Sequence, residues 1–202
     1  NVILVVLPPE GIPQKDAFKN FKDMLGNNNI LYASPKGEIP ENFDVVSGNE
    51  SPKFLSLREC NINHFDAVCF PSAVGSMEHL SNDETLQKLL FSCKAQQKPI
   101  CAIGYSVCSL ASAKNNESNW AFDGYRMTGI SVMEIVKTNN FANCPIIMEN
   151  FIRDNGGYYS ASKVGKVHVV IDRHLITAQN EYSAKMAYHS LQYLLQEQDV
   201  IG

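Results

Sequence analysis

The stretch Lys98-Pro99-Ile100-Cys101-Ala102-Ile103-Gly104-Tyr105-Ser106-Val107 has the pattern of a nucleophile elbow. In that device a buried strand runs into a helix through a sharp turn, and the turn holds a Ser or Cys above a parallel sheet. Nucleophilic catalysis there needs an activated hydroxyl or thiol, a base beside it, and N–H donors aimed at the developing oxyanion. Here the elbow position carries Gly104, and a hydrogen atom cannot attack a carbonyl. Strained elbow angles cost a residue with a side chain about 1–3 kcal/mol, whereas glycine adopts them almost freely. The pattern is either an elbow without its nucleophile or an ordinary strand-to-helix turn that never carried chemistry.

Other reactive side chains nearby have bland roles available. Cys108 lies one turn past Gly104 and is expected to point into packing. Ser106 sits at the start of the helix, where a hydroxyl satisfies free backbone N–H groups, and no histidine lies near it in sequence to act as its base. His64, His79, His168, His174 and His189 show no ligand spacing, so no metal site is expected. Glu78-His79 either faces the pocket of such an elbow or is an ordinary surface pair. No glycine-rich nucleotide motif is present, and no cofactor is expected, although the N–H groups at Gly104–Ser106 offer room for a small anion.

The elements that must position these residues are legible from patterning. Ile100–Ile103 is wholly apolar and begins after Lys98-Pro99, as suits a strand buried on both faces; Val107, Cys108 and Ala111 then recur at helical spacing. Val2–Leu7, Ile30–Ala33 and Ala67–Phe70 read as further buried strands. Helices are expected from Asp16 to Leu25, after the capping-box pattern Ser81-Asn82-Asp83-Glu84, from Pro145 to Arg153, and over the Ala184–Leu195 stripe capped by Asn180. Residues 34–64 read as loops with a short hairpin. Tyr158–Ala161, Val167–Ile171 and Leu175–Thr177 read as short strands. Strands alternate with helices, which predicts a flavodoxin-like three-layer α/β sandwich with a mainly parallel sheet, as one domain over residues 1–202.

Composition narrows the function. Of 202 residues, 45% are hydrophobic and 19% charged, enough for a sizeable core; the net charge is −4 and no Lys/Arg cluster occurs. Direct nucleic-acid binding is therefore not expected, since phosphate neutralisation needs a basic patch. No apolar run approaches the roughly 20 residues that span a bilayer. The apolar N-terminus reads as a first core strand and not as a signal peptide. The six cysteines form no CxxC pair and four fall in apolar strands or helix faces, the habit of reduced core thiols in the cytosol. Asn49-Glu50-Ser51 and Asn116-Glu117-Ser118 match the glycosylation sequon, as chance alone also allows. Trp120 and Phe122 are either interface anchors or fold back under their own loop.

Several segments, taken in order, resemble the DJ-1/PfpI superfamily within the class I glutamine amidotransferase-like fold. Phe65–Pro71 with Gly75 looks like its strand and oxyanion turn, and Lys98–Val107 looks like its elbow. Pro145 through Glu149 to Gly156, Val170-Ile171-Asp172, and Leu175–Asn180 look like its C-terminal half. The resemblance implies a degenerate pocket built from Glu10, Ser72, Ala73, Gly75, Gly104, Tyr105 and Ser106. Active members carry Cys where Gly104 stands, Gly-Gly where Ser72-Ala73 stand, and often a His near Thr128-Gly129-Ile130. Glu10 stands two or three positions before the place of their carboxylate, which Pro13 occupies.

Within the superfamily, Lys98–Ala102, Trp120–Asp123 and Val167–Thr177 resemble a member that is a subunit of an early-endosome Rab effector complex. That complex links messenger RNA to endosomes. The resemblance implies a non-catalytic subunit, homo-oligomeric (dimer or tetramer), cytoplasmic, and held at early endosomes through other subunits. Membrane insertion and direct RNA contact are not expected. The alternatives are a hydrolase, deglycase or chaperone with a relocated nucleophile, and a small-molecule sensor using the pocket.

Overall fold

In a computed structural model, β1 (Val2–Val6) shows why the sheet is covered on both sides. Ile3 and Val5 enter one apolar cluster and Leu4 and Val6 the other, so neither parity of the strand tolerates water. The structure describes the chain apart from residues 27, 49, 50, 116, 118, 140 and 202 and the side chains of 198–201. The asparagines of both sequon matches and the Gln198 side chain lie outside the described residues.

The remaining strands are β2 (Asn29–Ser34), β3 (Phe54–Ser56), β4 (Ala67–Phe70), β5 (Ile100–Ile103), β6 (Arg126–Met127), β7 (Tyr158–Tyr159), β8 (Val169–Asp172) and β9 (Leu175–Ala178). Seven of them form one sheet in the order β3-β2-β1-β4-β5-β9-β8, and β6 pairs with β7 apart from it. Every pair in the main sheet is parallel except β8 with β9, which meet through the turn at Arg173-His174.

Helices α1 (Lys15–Leu25), α2 (Phe43–Ser47), α3 (Ser76–His79), α4 (Glu84–Ala95), α5 (Val132–Val136), α6 (Met148–Asp154) and α7 (Ala184–Ile201) complete the molecule. Phe18, Phe21 and Leu25 of α1 and Ala187, Tyr188 and Leu191 of α7 cover one face, while Leu86, Leu89, Leu90 and Cys93 of α4 and Ile152 of α6 cover the other. This is the expected sandwich. No helix among the described residues is long and apolar enough to cross a membrane.

Four details depart from expectation. Among the described residues of 34–64 there is no hairpin; α2 and the parallel strand β3 stand there, because Phe43 and Phe54 close an aromatic cluster with Phe18 and Tyr32. Ser81 does not cap α4; Asp83 does, accepting the Thr85 and Leu86 N–H groups at 2.8 and 2.7 Å. The helix expected from Pro145 starts at Met148. The segment after the elbow is a 3-10 helix over Gly104–Ser112 and not an α-helix. Residues three apart eclipse in that geometry, which aligns Ser106, Ser109 and Ser112, and the Ser112 hydroxyl returns to the Ser109 carbonyl at 2.8 Å.

Candidate functional site

The elbow is present as a backbone feature. β5 ends at Ile103 in extended conformation, and Gly104 then takes φ +55°, the left-handed region that disfavours side chains. A Cβ built on Gly104 would lie 2.5 Å from the Ser72 hydroxyl and 3.3 Å from the Ser72 Cβ. The space a nucleophile would enter is thus occupied by Ser72. Gly104 is itself buried, and its carbonyl accepts the Ile130 N–H at 3.3 Å.

Ser106 binds the turn opposite. Its hydroxyl donates to the Pro71 carbonyl at 2.6 Å, accepts the Ala73 N–H at 3.0 Å, and meets the Ser76 hydroxyl at 2.8 Å. The Ala73 N–H belongs to the turn that would line an oxyanion hole, and here it is consumed inside the protein. The Gly75 N–H is likewise given to the Gly11 carbonyl at 3.1 Å. Gly75 is required for that approach, since a Cβ there would sit 1.9 Å from the Glu10 carbonyl oxygen. Tyr105 is half-buried against the α4-side core.

The carboxylate beside the elbow is Glu134, which the sequence reading did not single out. It closes a capping box on Ser131 and receives the Gln179 and Asn180 side-chain amides at 2.9 and 2.7 Å. Burial alone would raise this carboxyl, but the Asn180, Gln179 and Ser131 hydrogen bonds outweigh it and hold the group below the usual carboxylate range. The Asn180 Cα lies 3.7 Å from the position of a Cβ on Gly104, so Glu134 fixes the loops around the elbow. Ser131-Val132-Met133-Glu134 is itself the capping-box signature that would have exposed it.

Glu10 is exposed, and its carboxylate meets His79 Nε2 at 3.0 Å. With Glu78 this is a cluster of metal-ligating types whose ligand atoms lie within 4.8 Å of one another. The groove there, about 350 Å³ and lined by Glu10, Glu41, Val74, Glu78 and His79 among others, does not include Gly104. These are solvated rim residues, and the expected pairing of Glu78-His79 with the pocket resolves into this rim contact.

All six cysteines are free. Cys108 is fully buried and burial pushes its thiol up, the opposite of an activated nucleophile. Trp120 and Phe122, read as possible contact residues, are 4% and 0% exposed, which corrects the interface reading. Trp120 donates its indole N–H to the Leu110 carbonyl at 2.8 Å and packs edge-on against Phe122 and Phe151. The 3-10 segment offers that carbonyl to the loop, and the aromatic pair folds beneath it.

The mainly parallel seven-stranded sheet between helical layers has the fold of solved DJ-1 and ThiJ/PfpI-domain structures. Rapid Encystment Protein 24 KDa of Francisella tularensis superposes with a TM-score of 0.80 at 22% identity, covering 96% of this chain and 99% of that one. Drosophila melanogaster DJ-1beta superposes with a TM-score of 0.62 at 20% identity over 98% and 89% of the two chains. At such identities the likeness establishes the fold alone. No family model matches the chain.

Curated relatives carry the identification further. The chain is 35% identical over 178 residues to the human glutamine amidotransferase-like class 1 domain-containing protein 1, covering 82% of this chain and 80% of that protein. It is 40% identical over 193 residues to the Xenopus laevis protein of the same name, covering 90% and 84%. The chain belongs to this family.

Proposed function

We propose that this protein is a non-catalytic assembly subunit. The observation that carries the reading is the closure of the elbow from within. Gly104 supplies no nucleophile, Ser72 fills the space above it, and the Ala73 N–H is spent on Ser106. Removing a nucleophile typically costs on the order of 10⁶ in kcat even where the oxyanion donors survive, and here a donor is engaged as well. A relocated nucleophile finds no support in Cys108, which is buried with a raised pKa.

By resemblance to the superfamily member that is a subunit of an early-endosome Rab effector complex, the protein acts as a scaffold in such a multi-protein complex, involved in messenger RNA transport. It is a homo-oligomer that binds the other subunits, and it reaches early endosomes from the cytoplasm through them. The net charge of −4 and the lack of a basic cluster make its link to RNA indirect.

Affinity purification with mass spectrometry tests the reading. Co-purifying subunits are expected, with no turnover above solvent background on glyoxals, peptides, esters or glutamine. Saturable turnover abolished by Cys108→Ala would overturn the non-catalytic role. A chain that brings down no partner, or tight salt-sensitive RNA binding by the isolated chain, would overturn the scaffold role.

A further inference from the structure

We propose that the groove between β8 and α7 binds the anion of a medium-chain fatty acid. The inference goes beyond the assembly role and concerns a separate surface, since no residue of the elbow or of the turn opposite lines this groove.

β8 is the last strand of the sheet and pairs only with β9. The turn leading into α7 is tied to its start, where the Ser183 hydroxyl accepts the His168 N–H at 2.9 Å. Between strand and helix lies a groove of about 670 Å³. Val167 and Ile171 form its strand side, and Met186, Tyr193 and Leu194 form the apolar part of its helix side. On α7 the lining falls at positions 185, 186, 189, 190, 193 and 194, two rows spaced by four along one helix face. From Lys185 to Leu194 that face extends about 14 Å, which suits an extended alkyl chain better than a compact solute. Val167, Ile171, Tyr182, Met186 and Tyr193 are 48–72% exposed. Single exposed apolar side chains are ordinary; five along one channel mark a binding surface.

Size and charge choose the occupant. Small-molecule sites enclose about 300–1,000 Å³ and are lined by apolar and aromatic groups with a few polar ones, which describes this groove. A stable protein partner needs about 20–30 residues a side, and nine residues line this one.

The charge is one-signed. Lys185 and His189 line the groove and no carboxylate does. Neither has an ion-pair or hydrogen-bond partner among the described residues. Asp16, Asp23 and Glu181 stand in a neighbouring groove between α1 and α7, which Lys185 also borders. Lys185 and His189 are one helical turn apart, so a single carboxylate can meet both. At the far end the Tyr193 hydroxyl donates to the Glu197 carboxylate, which would repel an anion. The head therefore belongs at Lys185 and His189, and the tail at Tyr193 and Leu194.

Calorimetric titration of the purified chain with decanoate tests the proposal. Saturable binding of one decanoate per chain is expected. Decanol, which has the tail without the charge, should bind about 10-fold more weakly. Butyrate, which has the charge without the tail, should show no measurable binding. Met186→Glu should weaken decanoate by about 100-fold or more, by setting a carboxylate against the tail. Lys185→Glu should weaken decanoate by about 10-fold and leave decanol unchanged. Both side chains are exposed, so both variants should fold. No saturable decanoate binding, or binding indifferent to Met186→Glu, would overturn the site. Equal affinity for decanoate and decanol would overturn the anion. In the unmodified chain the methyl resonances of Val167, Ile171 and Met186 should shift with decanoate, and shifts confined to other residues would overturn the site. Decanoate sites per chain that vanish as protein concentration rises would assign the groove to a second copy and overturn the proposal as well. No other subunit is present in these assays, so their outcome is independent of the partner capture above.

Discussion

The elbow and the β8 edge lie in one sheet and are finished in opposite ways. At the elbow, backbone donors that an enzyme would hold ready for an oxyanion are spent on Ser106 and Gly11, and Ser72 stands where a nucleophile would project. At the edge, backbone groups of Val169 and Ile171 turn outward beside exposed Met186 and Tyr193. A polar pocket has been satisfied internally while an apolar margin has been left unfinished. The contrast teaches that polar groups at the topological centre of the fold are satisfied from within, while exposed apolar side chains gather at its rim.

The largest effect should come from reopening the closed region. Gly104→Cys should destabilise by about 3 kcal/mol or more, combining left-handed backbone strain with displacement of Ser72. Calorimetry of Gly104→Cys with Ser72→Gly should recover the steric share and leave the backbone share. Equal stability of Gly104→Cys and the parent would mean that the elbow is not tight.

Acid should act next, at the far end of β5. Burial, with Arg173 and Lys94 nearby, lowers His174 to about 4 from 6.5, and it is 5% exposed. A histidine depressed in the folded state leaves the unfolded chain binding more protons between those values. Stability should therefore fall as pH drops from about 6.5 to about 4, by up to about 3 kcal/mol. Urea unfolding at a series of pH values should show that slope, and His174→Gln should flatten it above pH 4.5.

Ser106→Ala should cost about 1–3 kcal/mol, because it strands the buried Ala73 N–H; chemical denaturation with an unchanged m-value is the check. Ile171→Glu should lie at the small end, within about 0.5 kcal/mol, because the side chain is exposed; thermal unfolding at low protein concentration is the measurement. A large loss there would mean that Ile171 belongs to the core and would collapse the contrast with Ser106.

Much of the fold was legible because a doubly buried strand has no polar parity. Val2–Val6, Ala67–Phe70 and Ile100–Ile103 announce themselves as apolar runs, and all lie in the middle of the sheet. Residues 43–56 were not legible, since α2 and β3 are short and owe their form to one aromatic cluster. Within the site, Gly104 is marked by its turn, whereas Glu134 carries only the local mark of a helix cap, and its place beside the elbow depends on Gln179 and Asn180, 45 and 46 residues away. Trp120 and Phe122 show the same limit: an aromatic in a polar loop reads alike whether it faces solvent or the Leu110 carbonyl.

The sequence by itself determined the layers of the sandwich, the glycine at the elbow and the lack of a basic cluster or of an apolar run long enough for a membrane helix, because each depends on local periodicity or composition. Only the tertiary structure decided that Ser72 fills the space above Gly104, that Ser106 takes the Ala73 N–H, and that Val167, Ile171 and Met186 share one groove. Those facts depend on which surfaces meet across the sheet, and side chains tens of residues apart carry no local mark of the partner they will find.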